Sequence, residues 1–333
     1  MEFALPLFFA GAMGLAMLIY VLLDGYDLGI GLLLPFASDS EKDTMIASIG
    51  PFWDANETWI VLGIGILLIA FPQAYGIVLT ALYLPVTLML MGLILRGVAF
   101  DFRVKAGDQH KAMWNRLFSA GSLVASMAQG WMLGAYITGL KSDATGLLFS
   151  ALIAVALPAL YVMLGCAWLL IKAEGELFCK AVRWGKRALL PMGAGLLLVS
   201  IATPLASSVI AEKWFSLPNA IGLMPIPLSC GVAYLALFWL LAKPAIIERA
   251  SWLVYACLAL ICIMAAIGLA FSLYPDIIIG RMNLWSAASA TESLLFTFVG
   301  TAITLPLIIA YTVFIHRIFH GKATNLSYGS TPD

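Results

Sequence analysis

The chain has 333 residues, 62% of them apolar and 11% charged, and its 18 cations are balanced by 18 acids to a formal net charge of zero. A mean hydropathy of +1.00 over that length is more apolar surface than a water-soluble fold can use, which excludes a soluble domain and makes lipid the implied solvent. The neutral balance gives no reason to expect nucleic acid or an acidic substrate as a partner.

A bilayer core is crossed by about 20 apolar residues in a helix. On that ruler the sequence predicts about nine spans, at 3–23, 58–71, 76–96, 117–137, 147–171, 189–210, 226–242, 251–273 and 293–315. Two of the runs they occupy, Thr58 to Leu95 and Ala144 to Ile171, contain no Asp, Glu, Lys or Arg. The second span is short and depends on a break at Phe71-Pro72-Gln73, without which the count is eight. The longest polar stretches, about 36–52, 97–116 and 172–188, are too short for a soluble domain. The expectation is therefore an all-α, polytopic integral membrane protein, with helices in bundles forming a single transmembrane domain over residues 1–333. Met1-Glu2-Phe3 lacks the basic n-region of a signal peptide, so the first span is expected to be retained.

Orientation follows from the cations, because short cytoplasmic loops are enriched in Lys and Arg. With nine spans and the N-terminus outside, 15 of the 18 cations fall on the cytoplasmic side, leaving Lys141, Lys213 and Arg281 outside. The N-terminus is thus expected outside and the C-terminus in the cytoplasm.

Four acids stand where the membrane disfavours charge. Asp24 and Asp27 follow the first span, and Asp54 and Glu57 precede the second, with Arg96 ending the third. A charge at a helix centre costs roughly 2.5 to 3.5 kcal/mol on insertion scales, so these residues should have partners or a task. Each acid pair is three residues apart and shares a helical face if the helix persists. A desolvated carboxylate beside a cation is tunable in the way a proton relay needs. The same residues can also be read as structural, capping helices and pairing with Arg96 and Arg103, and Asp54 suits a helix first turn. The neighbouring Trp53 and Trp59 have the character of interfacial aromatics.

Other signals are weaker. Gln129, deep in the fourth span, suggests a helix-to-helix hydrogen bond, and Gly29, Gly31, Gly63, Gly65 and Gly92 suggest close helix approach. Arg183-Trp-Gly-Lys-Arg187 reads as a positive-inside anchor, with anionic-lipid contact a secondary reading. The five cysteines show no CxxC spacing and read as small core residues. His110, His316 and His320 all fall outside the middle of the membrane, so an intrinsic haem, which needs axial ligands there, is not expected, and zinc spacing is absent.

Five blocks together carry a resemblance: Asp24-Gly-Tyr-Asp-Leu-Gly-Ile-Gly31, Gly50-Pro-Phe-Trp-Asp-Ala-Asn-Glu-Thr-Trp-Ile-Val-Leu-Gly63, Ala70-Phe-Pro-Gln-Ala-Tyr75, Ala81-Leu-Tyr83 and Gly92-Leu-Ile-Leu-Arg-Gly-Val-Ala-Phe-Asp-Phe-Arg103. In order and spacing they resemble subunit II of the cytochrome bd-type quinol oxidases, and the chain is similar to the shorter members found in cyanide-insensitive oxidases. The resemblance implies a bacterial inner-membrane complex that oxidises quinol, reduces dioxygen to water and builds a proton motive force. It implies that two b-type haems and one d-type haem belong to a partner, subunit I, with this chain a haem-free subunit needed for haem-site assembly. Membrane lipid and quinone are then surroundings and substrate, and a small accessory subunit is left open. The family's acidic block implies a proton path at Asp54, supported by Glu57, with Asp24 and Asp27 as further members. Charge balance would come from Arg96, Asp101 and Arg103. Ala55 stands where many members have Gly, and Asp101 where many have Glu. A reading of a different class, a secondary transporter with intramembrane carboxylates, would equally explain polar residues in broken helices.

Overall fold

A computed structural model describes residues 3–323. It is built from helices, with one short β-hairpin. Helix α1 (Ala4–Leu33) ends in a 3-10 turn, and α2 (Asp39–Ile49) follows, begun by a capping box in which Glu41 accepts from the Ser38 backbone N–H at 2.7 Å. Next come α3 (Trp53–Ala70), α4 (Pro72–Ala81), α5 (Tyr83–Lys105), α6 (Asp108–Ile137), α7 (Ala144–Lys172) and α8 (Gly175–Ala206). The remainder is α9 (Ser208–Phe215), α10 (Asn219–Leu223), α11 (Pro225–Leu241), α12 (Pro244–Arg249), α13 (Trp252–Leu273), the hairpin β1 (Asp276–Ile278) and β2 (Met282–Asn283), α14 (Leu284–Ala287) and α15 (Thr291–Ile318).

Among the described residues, eight helical stretches are long and apolar enough to cross a membrane: those of α1, α3, α5, α7, α8, α10 with α11, α13 and α15. Helix α6, of 30 residues, lies between α5 and α7 and is long enough to serve as the ninth expected span. Its serines and Gln129 face neighbouring helices rather than lipid, as the buried Ser122, Ser126 and Gln129 show. The break expected at Phe71 is present: proline cannot donate to the preceding turn, Phe71 leaves the helical region (φ −136°, ψ 59°), and α4 restarts with Pro72 in its first turn.

The helix ends sort into two layers. At one end Arg103 pairs with Asp43 at 2.8 Å, Lys180 with Glu41 at 2.8 Å, and the Trp168 indole donates to Ser48 O at 3.2 Å, tying α5, α8 and α7 to α2. Lys172 joins the same layer, donating to Phe319 O and to Gly321 O beyond the end of α15. At the opposite end the Trp285 indole donates to Phe3 O at 3.2 Å, Ser289 N to Ala70 O at 2.8 Å, and Tyr136 to Ile277 O. The starts of α1 and α15 and the ends of α3 and α6 therefore share one layer, as alternating traverses require.

Several span boundaries differ from the expected ones: the 76–96 span is divided at Leu82 between α4 and α5, with α5 running on to Lys105, α6 begins at Asp108 rather than 117, and α8 occupies Gly175–Ala206 rather than 189–210. Helix α1 continues ten residues beyond 23, and α3 begins at Trp53 rather than 58. The acids were expected to terminate the spans. They do not: Asp24 and Glu57 are paired with Arg96 of α5 and Asp27 is bonded to Asn56 of α3, and a polar group given a partner inside the bundle does not stop a membrane helix.

Helix α1 sits at the centre, packed on α3, α6 and α7. Its crossing with α7 is backbone to backbone: a Cβ on Gly29 would lie 1.8 Å from Tyr161 O, and one on Gly165 would lie 2.6 Å from the Gly29 carbonyl carbon. Without a hydrophobic drive between helices in lipid, such close approach is what dispersion forces need.

Candidate functional site

Helical phase places the site. On α1 the buried positions Phe9, Ala12, Ala16, Tyr20, Asp24 and Asp27 recur every three or four residues, so the two acids lie on the stripe that faces the bundle. On α3 the buried stripe is Asn56, Trp59, Gly63, Ile66 and Ala70. On α5 it is Met89, Gly92, Arg96, Ala99 and Arg103. Gly92 and Gly121 let α5 and α6 approach, since a Cβ on Gly121 would lie 2.6 Å from Gly92 O and 2.9 Å from Arg96 N, and this crossing holds Arg96 beside α1.

At the centre is Arg96, 1% exposed. Its Nη2 donates to Asp24 Oδ1 at 2.5 Å and also to Glu57 Oε1. Asp24 and Asp27 are fully buried, whereas the Glu57 side chain is 25% exposed. Asp27 does not share the guanidinium. Its Oδ2 accepts from Asn56 Nδ2 at 2.8 Å, and the same amide donates to the Tyr26 hydroxyl at 2.8 Å. Thr312 O faces His316 Nδ1 at 2.8 Å, which makes that nitrogen the donor and leaves Nε2 to accept from Tyr26 at 3.4 Å. A second polar group lies further along α1, where Gln129 donates to Tyr20 at 2.7 Å and accepts from Tyr161 at 2.6 Å, joining α6, α1 and α7.

Four buried atoms at this centre have no partner among the described residues: Asp24 Oδ2, Asp27 Oδ1, Arg96 Nε and Arg96 Nη1. One guanidinium, which keeps its proton in proteins, bonds two carboxylates, Asp24 and Glu57, with a third, Asp27, beside them on Asn56. Several negative charges in a low-dielectric interior against one cation are costly, so the cluster is chemically suited to bind and release protons rather than to serve as a plain ion pair.

The remaining sequence-derived residues sit apart from this centre. Asp54 is exposed in the first turn of α3, off the buried stripe but on the same face as Glu57 one turn on. Asp101 is exposed on α5. Arg103 is buried two turns beyond Arg96, and its partners are Asp43 and Asn115, the latter at 2.6 Å, so it braces the layer of helix ends instead of the acid cluster. Trp53 is half-buried on Phe100, with ring centroids 5.0 Å apart. Trp59 is inside the bundle against Ala16 and Tyr20 rather than at an interface, because it shares the α3 stripe.

Asn56, Tyr26 and His316 were not legible as site residues. Asn56 did carry a signal, its spacing from Trp59, Gly63 and Ile66, which an α3 starting at Trp53 makes visible. Among the described residues no group of three His, Cys, Asp or Glu side chains could hold a metal ion. The cysteines are free, with Cys166, Cys230 and Cys262 buried.

The family model for cytochrome bd terminal oxidase subunit II matches residues 5–319. The chain is 26% identical to cytochrome bd-I ubiquinol oxidase subunit 2 of Escherichia coli K12 over 93% of both chains. It is 36% identical to cytochrome bd ubiquinol oxidase subunit 2 of Bacillus subtilis 168 over 38% of each. Among solved structures, a chain of the bd oxidase from Geobacillus thermodenitrificans superposes with a TM-score of 0.76 at 15% identity, covering 95% of this chain and 98% of that one.

Proposed function

Given that the chain belongs to the cytochrome bd terminal oxidase subunit II family, we propose that it is the haem-free partner in a quinol-oxidising, dioxygen-reducing complex of the bacterial inner membrane and that it conducts protons from the cytoplasm toward the partner's haems. The family membership replaces the transporter reading. Haem supplies the redox chemistry of such a complex and is assigned to subunit I. This chain's own histidines do not fit the role, since His110 is exposed in the first turn of α6, His320 lies beyond the end of α15, and the His316 ring faces Thr312 and Tyr26.

The observation that carries the proposal is the graded exposure of three acids along one route. Asp54 is exposed, Glu57 one turn deeper is partly exposed, and Asp24 beyond it is fully buried, with Arg96 bonded to both Glu57 and Asp24. Asp54 takes a proton from water at the N-terminus of α3. Glu57 passes it inward, and Asp24 holds it inside the bundle while Arg96, which stays charged, keeps the two carboxyl groups in register. Asp27, held by Asn56, is the adjoining buried acceptor. The N-terminus is outside and the C-terminus cytoplasmic in this reading, which the crowding of Lys42, Arg103, Lys172, Lys180 and Arg183 at the layer containing Asp54 supports. Proton uptake on that side, with quinol protons released on the other, separates charge without a moving pump. Packing of α1, α3 and α5 around Arg96 gives the subunit its part in assembling the haem sites of its partner.

In Asp54→Asn the complex is expected to assemble with full haem content, judged by its absorption spectrum, and to lose quinol oxidase turnover by about a hundredfold, the low end for a positioned proton-transfer group. Full turnover in that variant removes Asp54 from the path.

A further inference from the structure

We propose that the face of α8 bearing Arg183 and Arg187 is a binding site for an anionic phospholipid, which lays its phosphodiester between these two guanidinium groups and Phe36. A cavity of about 170 Å³ opens there, lined by Phe36, Lys180, Arg183, Trp184 and Arg187. It is held in shape from beneath. The capping box that starts α2 presents Glu41 to Lys180 at 2.8 Å, which fixes the 3-10 turn carrying Phe36 opposite the first turns of α8.

Charge selects the ligand. Lys180 is already engaged by Glu41 and, at 3.4 Å, by Glu176. Arg183 and Arg187 are exposed, and among the described residues neither pairs with a carboxylate. Two uncompensated guanidinium groups one turn apart present fork-like donors that suit phosphate oxygens. The aromatic pair fits the same occupant, since Phe36 is 69% exposed and Trp184 borders the cavity, and aromatic side chains are enriched where headgroups meet acyl chains.

Helical phase then supplies the tail. Leu190, Leu197 and Ile201 follow Arg183 and Arg187 at helical spacing on one face of α8 and are 75%, 65% and 61% exposed. From Arg187 to Ile201 that stripe rises about 21 Å at 1.5 Å per residue, longer than one leaflet, which is about half of a 30 Å hydrocarbon core. A phosphate anchored at the arginines therefore has an apolar track for an acyl chain directly above it. A soluble anion would use the charge and leave the track idle.

The test is native mass spectrometry of the purified complex with its partner subunit, titrated with phosphatidylglycerol or phosphatidylcholine. Phosphatidylglycerol is expected to bind preferentially, and R183Q/R187Q to weaken it by about thirtyfold, from about fivefold per cation near an anionic surface. K186Q, a cation of the same helix outside the cavity, is expected to leave binding unchanged. Should the double variant fail to assemble, R187Q alone is expected to show the fivefold loss. Equal binding of the two lipids, or no effect of the arginine substitutions, overturns the site and leaves the face to another protein. Displacement of the lipid by millimolar inorganic phosphate assigns the arginines to a soluble anion and overturns the lipid.

Discussion

The helices around α1 and the helices at the C-terminal end of the chain are comparably apolar yet are held together differently. In the first group, 39% of the most apolar stretch of α7 is buried, and its helices are stitched by Asp24–Arg96–Glu57, Asp27–Asn56 and Tyr20–Gln129–Tyr161. In the second, only 6% of the corresponding stretch of α15 and 17% of that of α11 is buried. Among the described residues, the side-chain hydrogen bonds from α11 and α13 to other helices are few and neutral: Tyr234 donates to Leu189 O, Tyr255 to Leu22 O, and Ser272 accepts from the Trp214 indole of α9. The closest glycine crossings lie in the first group, although Gly11, Gly14 and Gly65 there stand in open space. Gly29, Gly121, Gly130 and Gly165 have backbone of another helix within 3 Å of an added Cβ, while Gly231 and Gly300 have nothing within 4 Å. In lipid, apolar surface alone does not drive helices together, so the tight bundle is the part with small residues and polar pairs. The loose helices turn their side chains outward, as lipid or another membrane chain requires.

Breaking the cation of the tight group should have the largest effect. Arg96→Met leaves Asp24 and Glu57 without their partner, and loss of one member of a buried pair costs about 3 to 5 kcal/mol. Little haem-bearing complex should then be recovered from membranes, and D24N/R96M should restore part of the yield. Wild-type yield from R96M would mean the cluster does not hold the bundle.

The glycines give a direct contrast between the groups. Gly29→Ala forces α1 from α7 and is expected to cost at least about 2 kcal/mol, within the range for overpacking, whereas Gly231→Ala on α11 should leave the melting temperature of the complex nearly unchanged. Equal shifts in the two variants would erase the distinction.

The smallest effect is expected at the layer of helix ends. Burial pushes the Glu41 carboxyl up, but Lys180 and the Ser38 backbone N–H pull it further down, so its pKa is lowered on balance. A depressed carboxyl pKa stabilises the fold above the unfolded value, about 4.3 for Glu, and that contribution disappears as pH falls through the lower folded value. The difference in melting temperature between wild type and E41Q should therefore be full at neutral pH, amount to about a degree or two because the pair is partly solvated, and vanish in acid. A difference that grows on acidification would contradict this pairing.

Much of the fold was legible because lipid imposes simple rules. Apolar runs of spanning length, the Phe71-Pro72 break and the presence of acids in need of partners follow from the energetics of charge and proline in helices, without knowledge of any contact. The extent of the helices was less legible. An expected span beginning at Thr58 leaves Asn56 in a loop and Asp54 as the leading acid, whereas a helix beginning at Trp53 puts Asn56 on the buried stripe and leaves Asp54 on the surface. Arg96 and Arg103 look equivalent in sequence, seven residues apart on one face, yet one meets the α1 acids and the other meets Asp43 and Asn115.

The sequence by itself determined the class, the approximate number of traverses, the family blocks and the set of charged residues that had to be satisfied, since each of these depends on composition or on neighbours within a few turns. Only the tertiary structure decided who satisfies whom. Asp24 meets Arg96 across 72 residues and Tyr26 meets His316 across 290. Such pairings are fixed by where helices cross, and the crossings depend on glycines of two helices meeting face to face, a coincidence that no single stretch of sequence contains.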